Sequence, residues 1–233
     1  MMKIATYNID WAKNNKIQIE KYLNAFDFDF LILTEAIELN LKNYDYIYFS
    51  NPINGNEIYE NQNYQQILNG KNGYRTIIYS KIPMKSKFSV NDSKTSLALE
   101  FTTEFGDLAF YATIIGTQFR IKPFAKIELE NCISDCKKIF KENKNLFIIG
   151  DLNTSFLENE KRDAINKETT NELRTLITNL NLFNCTENII RNIDHIIIPK
   201  SLKKTLIDNE IFVERDKFSD HQGVYITLNS HFC

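Results

Sequence analysis

Three short, unbroken apolar runs constrain this chain more than any other feature. FLIL (Phe30 to Leu33), LFII (Leu146 to Ile149) and HIII (His195 to Ile198) are too short for buried helices and lack apolar–polar alternation. Each therefore reads as a strand covered on both faces. Strands of that kind need packing layers above and below them, which selects a layered α/β architecture. Each run also borders on polar chemistry: Glu35 follows the first, Asp151 and Asn153 follow the second, and Asp194 opens the third.

The remaining elements fit around these strands. Lys3 to Ile9 alternates as a strand, and Ile19, Tyr22, Leu23 and Phe26 recur at helical spacing, giving a β-α-β opening with the FLIL strand. Arg75 to Ser80 and Leu97 to Phe101 read as further strands. The second turns through Phe105-Gly106-Asp107 into Leu108 to Ile115 as a hairpin. Pro123 is a helix-starting residue, and the spacing of Ile127, Ile133, Cys136 and Phe140 predicts a helix to about Lys141. Leu173 to Leu180 predicts another helix, and Gly223 to Leu228 a last strand. No linker rich in Pro, Gly or Ser and no internal repeat interrupts the chain, so one domain over residues 1–233 is expected.

Composition sets limits on partners. The 233 residues carry a formal net charge of -2, with 43% hydrophobic and 25% charged residues, values of an ordinary globular chain. There is no global basic field to draw in a polyanion, so a polyanionic substrate would need a local basic patch or a bound cation. Cys132, Cys136, Cys185 and Cys233 match neither a disulfide framework nor a zinc spacing, which suits a reducing compartment. No signal-peptide pattern precedes IATYNI and no apolar run reaches membrane-spanning length. A cytoplasmic, membrane-free protein, monomeric by default, is expected.

The chemistry gathers where strands end. Asn8 closes the first strand, Glu35 the second, Asp151 and Asn153 follow LFIIG, Asp194 opens HIII, and Asp220-His221 precedes the last strand. Loops at sheet ends are where rigid scaffolds present reactive groups. Asp151 and Asn153 are two apart and in extended chain face the same side, with Gly150 easing the backbone. Carboxylates with amide oxygens, and no Cys/His cluster, describe a hard-cation site of the Mg²⁺ type. Singly, each motif has a plainer reading: a hydrogen-bonded turn, an exposed acid, a capped strand start. Their ordered occurrence with complementary roles is the stronger signal.

The segments KIATYNID, LILTEA, YRTIIYSKIP, IIGDLNTSF, NIDHIII and FSDHQGV together resemble the endonuclease/exonuclease/phosphatase superfamily, with its DNase I and exonuclease III fold. The resemblance spans nearly the whole chain. It implies a DNase I-like four-layer α/β/β/α sandwich of two packed mixed sheets, with the site at one end of the sheets. It also implies Asn8, Glu35 and Asp220 as metal-side residues, Asp151 and Asn153 orienting the attacking water and binding phosphate, and Asp194 paired with His221, which contacts phosphate. Mg²⁺ or Mn²⁺ would be the cofactor. One position departs from the pattern: where relatives carry a second catalytic His or a Tyr at the end of the middle strand, this chain has Ile114. Tyr111, Thr113, Thr117 and Gln118 are the nearby polar candidates to compensate if the strand register differs, although strand alternation puts Thr113 and Ile114 on opposite faces.

Substrate choice falls to the loops. Asn51 to Tyr74 is rich in Asn and Tyr and holds Gly55, Gly70 and Gly73; Tyr59, Tyr64 or Tyr74 would stack bases if it borders the cleft. Arg75, Arg120 and Lys122 are candidate phosphate contacts, and Trp11 is a candidate cleft wall, each against an ordinary surface or core role. His195 is expected to pack within its strand. The reading is a metal-dependent phosphodiesterase, a nuclease acting on DNA more than RNA. The alternatives are a phosphoesterase for RNA, nucleotides or lipid or sugar phosphates, and a catalytically impaired binding module, which Ile114 motivates.

Overall fold

The computed structural model describes residues 1–13, 15–52, 58–59, 62–63, 73–116, 124–160 and 167–232. In chain order the strands and helices are β1 (Met2–Asn8), α1 (Lys16–Leu23), β2 (Phe30–Ala36), β3 (Tyr46–Phe49), β4 (Ile58–Tyr59), β5 (Gln62–Asn63), β6 (Tyr74–Ser80), β7 (Ser86–Lys87), β8 (Leu97–Thr103), β9 (Gly106–Ile114), α2 (Phe124–Glu142), β10 (Leu146–Asp151), α3 (Lys167–Asn179), β11 (Leu182–Asn184), β12 (Asp194–Pro199), β13 (Leu206–Val213) and β14 (Gly223–Leu228). They build two six-stranded sheets, ordered β13-β14-β1-β2-β6-β3 and β11-β12-β10-β9-β8-β7, while β4 and β5 pair separately. Both sheets are mixed: β1 runs parallel to β2 and antiparallel to β14, and β10 parallel to β9 and antiparallel to β12.

The apolar runs dictate the layers. Along β1, Met2 and Ile4 enter the core between the sheets, while Ala5 and Tyr7 pack outward under α1 with Ile19 and Leu23. Along β10, Phe147 and Ile149 face the other sheet, and Leu146 and Ile148 pack outward against Cys132, Cys136 and Ile139 of α2 and Leu173 and Leu176 of α3. Strand alternation thus feeds three apolar layers from two sheets, and the result is the expected four-layer sandwich. Cys132, Cys136 and Cys185 are free and buried, and Trp11 is buried at 5% exposure rather than lining a cleft. No described helix is long and apolar enough to cross a membrane.

The strands that sequence reading does not anticipate are mainly β3, β7, β11 and β13, and these four are the edges of the two sheets. An edge strand pairs on one side and stays half wet, so its sequence need not be apolar. In β13, LIDNEIFV, buried and exposed positions mix without strict alternation, and the pairing with β14 shifts register twice. Of the loop and turn candidates, Gly55, Tyr59, Tyr64, Gly70, Thr117, Gln118, Arg120, Lys122 and Pro123 lie outside the residues whose side chains are described.

Gly150, one residue before Asp151, has φ +131, and a Cβ built there would lie 2.0 Å from Thr113 O. Strand β10 therefore approaches β9 so closely that only glycine fits. Gly150→Ala should lower unfolding free energy by about 3 kcal/mol or more. Gly106→Ala, at φ +88 with nothing within 4 Å, should lose only about 1–2 kcal/mol. Urea unfolding of both variants checks the contrast.

Candidate active site

The register of the two sheets brings the polar strand ends together. Asp151, at the end of β10, is the direct partner of Asp194 at the start of β12 and of Ile114 at the end of β9. Counting in twos from the inward residues Ile149, Ile196 and Ala112 puts all three on the inter-sheet face. On the other sheet, Asn8 is likewise an even position of β1 and is paired with Thr34 of β2. Because β14 runs antiparallel to β1, its leading segment, Ser219 to Gln222, arrives at the same edge.

Two hydrogen bonds then cross from sheet to sheet. Asn8 Nδ2 donates to Asp151 Oδ2 at 2.9 Å, and His221 Nδ1 lies 2.7 Å from Asp194 Oδ2. His221 Nε2 lies 4.0 Å from Asp151 Oδ2 and 3.9 Å from Asp220 Oδ1, beyond hydrogen-bond distance. Ligand atoms of Asp151, Asp194 and His221 all fall within 4.8 Å of one another. Ser219 Oγ donates to Asn8 O at 2.7 Å and accepts the His221 N–H at 3.2 Å, fixing the last loop against the end of β1. Asp220 itself stands 74% exposed at the rim.

Burial decides the electrostatics. The Asp151 carboxyl is pushed up to about 8, first by burial and also by the Asp194 charge, against the lowering effect of His221, Asn8 and the Asn153 N–H. For His221, burial alone would lower the pKa, but the charges of Asp194 and Asp151 prevail and raise it to about 10. The imidazole is thus held as a cation beside two carboxylates. Asp194 Oδ1 is buried and accepts no hydrogen bond from the described residues. That uncompensated oxygen, in a cluster with more acid than base, suits a site that works with a cation.

The family model of the Endonuclease/Exonuclease/phosphatase family matches residues 5–221. The chain belongs to this family. Among solved structures, it is similar to a 3' phosphatase, NExo, from Neisseria bound to a product DNA hairpin, at TM-score 0.69 and 13% identity over 98% of this chain and 100% of that one. The 3'-5' exonuclease NExo from Neisseria meningitidis gives TM-score 0.69 and 14% identity, over 98% of this chain and 100% of that one. The endonuclease domain of TRAS1, a telomere-specific non-LTR retrotransposon, gives 0.65 and 10%, over 98% of each chain. At these identities the likeness carries the fold. No curated protein sequence matches the chain.

The residues expected on family grounds fall into three groups. Asn8, Asp151, Asp194 and His221 converge as described. Glu35, in the left-handed region at φ +43, stands at the end of β2. It follows Thr34, the register partner of Asn8. Glu35, Asp220 and the Asn8 amide oxygen are hard donors of the kind a divalent cation of the Mg²⁺ type takes.

Three expectations change. Asn153 does not face the site by strand alternation; its φ is +48, and it is folded back so that its N–H donates to Asp151 Oδ1 at 2.8 Å and its Nδ2 to Asp151 Oδ2 at 3.0 Å and Ile115 O at 2.9 Å. Its amide hydrogens are committed to protein oxygens and hold Asp151 in place. Arg75 is neither a surface residue nor a phosphate contact in this structure: it is 1% exposed, with Nη1 2.7 Å from Glu128 Oε1 and 3.2 Å from Thr95 Oγ1. Tyr111 and Thr113 do not stand in for the residue absent at Ile114, because both bond Ser96 Oγ, at 2.9 and 2.8 Å, on the face turned away from the cluster.

The two buried histidines should titrate in opposite directions. Burial lowers His195 to about 4, so its contribution to stability is present above about pH 6.5 and is lost as pH falls toward 4. The His221 contribution is fully present below about pH 6.5 and is lost as pH rises toward 10. Ring C–H NMR titration checks both, and Asp194→Asn should move the His221 midpoint downward; midpoints of both rings near 6.5 would contradict the burial argument.

Proposed function

We propose that this chain is a divalent-metal-dependent phosphodiesterase acting on DNA, working as one domain over residues 1–233. The observation that carries the reading is the convergence of Asp151, Asp194 and His221 at one buried sheet edge, bridged by Asn8, with Asp220 at the rim. Membership of the family supports phosphate-ester hydrolysis, and the similar structures described as a DNA-bound 3' phosphatase and a 3'-5' exonuclease support DNA as substrate.

The residues divide the work by chemistry. His221, charged and anchored through Nδ1 to Asp194, presents Nε2–H as a donor to a phosphoryl oxygen and to the negative charge that grows during attack. Asp151, held by Asn8 and Asn153 and nearly matched in pKa to neutral pH, accepts the proton of the attacking water in its ionised form. Glu35, Asp220 and Asn8 would hold the cation, which when bound polarises the phosphate and offsets the charge of the departing oxygen. Ile114, the register partner of Asp151, walls the cluster on the side away from Asp194 and offers no proton.

Plasmid, linear and abasic DNA, RNA and small phosphodiesters, each with Mg²⁺ and Mn²⁺, form the test panel. Asp151→Asn and His221→Ala should each lower kcat/KM on DNA by on the order of 10²–10⁴-fold, and His221→Ala should also lower the unfolding midpoint because it leaves the buried Asp194 carboxylate without its cation. Turnover of no substrate, or variants as active as the parent, defeats the enzyme reading. Ile114→His should speed hydrolysis by supplying a second donor; a slower enzyme would show that this flank requires an apolar wall.

A further inference from the structure

His195 follows Asp194 on β12, so strand alternation turns it to the face of the sheet opposite the cluster. It is 1% exposed, and both ring nitrogens are engaged. Nε2 lies 2.9 Å from Thr154 O, and Nδ1 lies 3.2 Å from Asn184 Nδ2 and 3.1 Å from Thr186 Oγ1. A carbonyl only accepts, so Nε2 carries the proton. Asn184 Oδ1 accepts the Thr186 N–H at 3.0 Å, which turns the Asn184 Nδ2 toward Nδ1 as a donor. The Phe156 ring meets the imidazole edge-on, with centroids 4.8 Å apart. Tautomer and orientation are therefore both fixed, and the single ring N–H points at one atom.

That atom is the carbonyl next to Asn153. Asn153 sits at φ +48, a left-handed conformation that asparagine reaches more readily than most residues, and here the chain is pinned on both sides of it. On the leading side, Asp151 ends the β10 ladder and the Leu152 N–H donates to Ile193 O at 3.0 Å. On the trailing side, Thr154 is held by the His195 ring and by a hydroxyl contact to Thr170 at 2.7 Å. Pinned this way, Asn153 gives both its N–H and its amide to the Asp151 carboxylate. We propose that His195 is a positioning residue for the site: by donating to Thr154 O from behind the sheet, it keeps Asn153 left-handed and thereby aims the Asp151 carboxylate. The catalytic consequence rests on the phosphodiesterase reading; the geometric claim does not.

The geometry is tested without substrate. Ring ¹⁵N shifts should show the Nε2–H tautomer. His195→Met, which keeps bulk and loses the donor, should reduce hydrogen-exchange protection of the Asn153 side-chain amide by at least about tenfold. His195→Gln, whose amide nitrogen falls near the place of Nε2, should retain most of it. Thr186→Val loosens the ring from its other nitrogen and gives the same readout more mildly should His195→Met fail to fold. An Nδ1–H tautomer, or an unchanged Asn153 amide in folded His195→Met or Thr186→Val, overturns the proposal. On any substrate the parent turns over, His195→Met and Asn153→Ala should each slow kcat, and the double variant should be no slower than Asn153→Ala alone. Additive losses would reduce His195 to a packing role. Absence of turnover by the parent would defeat the phosphodiesterase reading and leave the amide measurement to decide this one.

Discussion

Two carboxylates, Asp151 and Asp194, face each other as register partners on adjacent strands inside a buried row. Like charges directly opposite one another in a sheet repel, and a buried carboxylate without a partner is costly. The surrounding structure supplies the compensation: the His221 imidazolium on Asp194, and the Asn8 amide with two donors from Asn153 on Asp151. Asn8 and His221 both come from the opposite sheet. The pair of carboxylates therefore sets how the polar ends of the two sheets meet, while the apolar residues further along the same faces set how the rest of the sandwich packs.

The backbone around this pair is strained in a consistent place. Asp10, Trp11 and Ala12 follow Asn8 with three successive left-handed φ values, and Glu35, Asn153, Arg191 and Asp216 are left-handed too. Each of these lies within a few residues of a site group, and among the described residues Asn181 is the one non-glycine exception, in the turn between α3 and β11. Left-handed L-residues cost energy and persist where surrounding contacts overdetermine them. Here those contacts are visible: Asn8 Oδ1 accepts the Asp10 N–H at 2.9 Å, Trp11 packs against Gly73, where an added Cβ would lie 3.1 Å from its ring, and His195 secures the segment after Asn153. Such strain fixes loops that would otherwise sample many poses, so ligand groups meet a set geometry.

Sequence made the central strands and the order of the site groups legible because burial leaves a composition signal and catalysis leaves polar residues where apolar runs stop. It failed where geometry depends on contacts distant in the chain. The edge strands β3, β7, β11 and β13 carry mixed residues because one side faces solvent. Arg75 looked like a surface base because nothing local announces Glu128, the carboxylate that buries it. Asn153 looked like a strand residue because the alternation rule assumes extended backbone, whereas the short Asp151-Leu152-Asn153 turn closes on itself. The alternation rule did hold for Ile114, Tyr111 and Thr113, all inside the continuous strand β9.

Charge at the site end explains why a chain with no basic balance can still be read as handling a polyanion. Among the described residues, this end of the sheets carries the acids Asp151, Asp194 and Asp220 beside the cation His221. On the proposed reading, a divalent ion held by Glu35 and Asp220 would offset that acidity locally, where focusing in a low-dielectric cleft makes it strong. Binding of a polyanion would then depend on the cation more than on lysines spread along a surface. The same balance leaves His221 as the one imidazole beside Asp151 among the described residues. With Ile114 beside Asp151, the proposed mechanism would leave both proton donation and charge stabilisation to a residue whose own charge depends on Asp194, the carboxylate that sets the row.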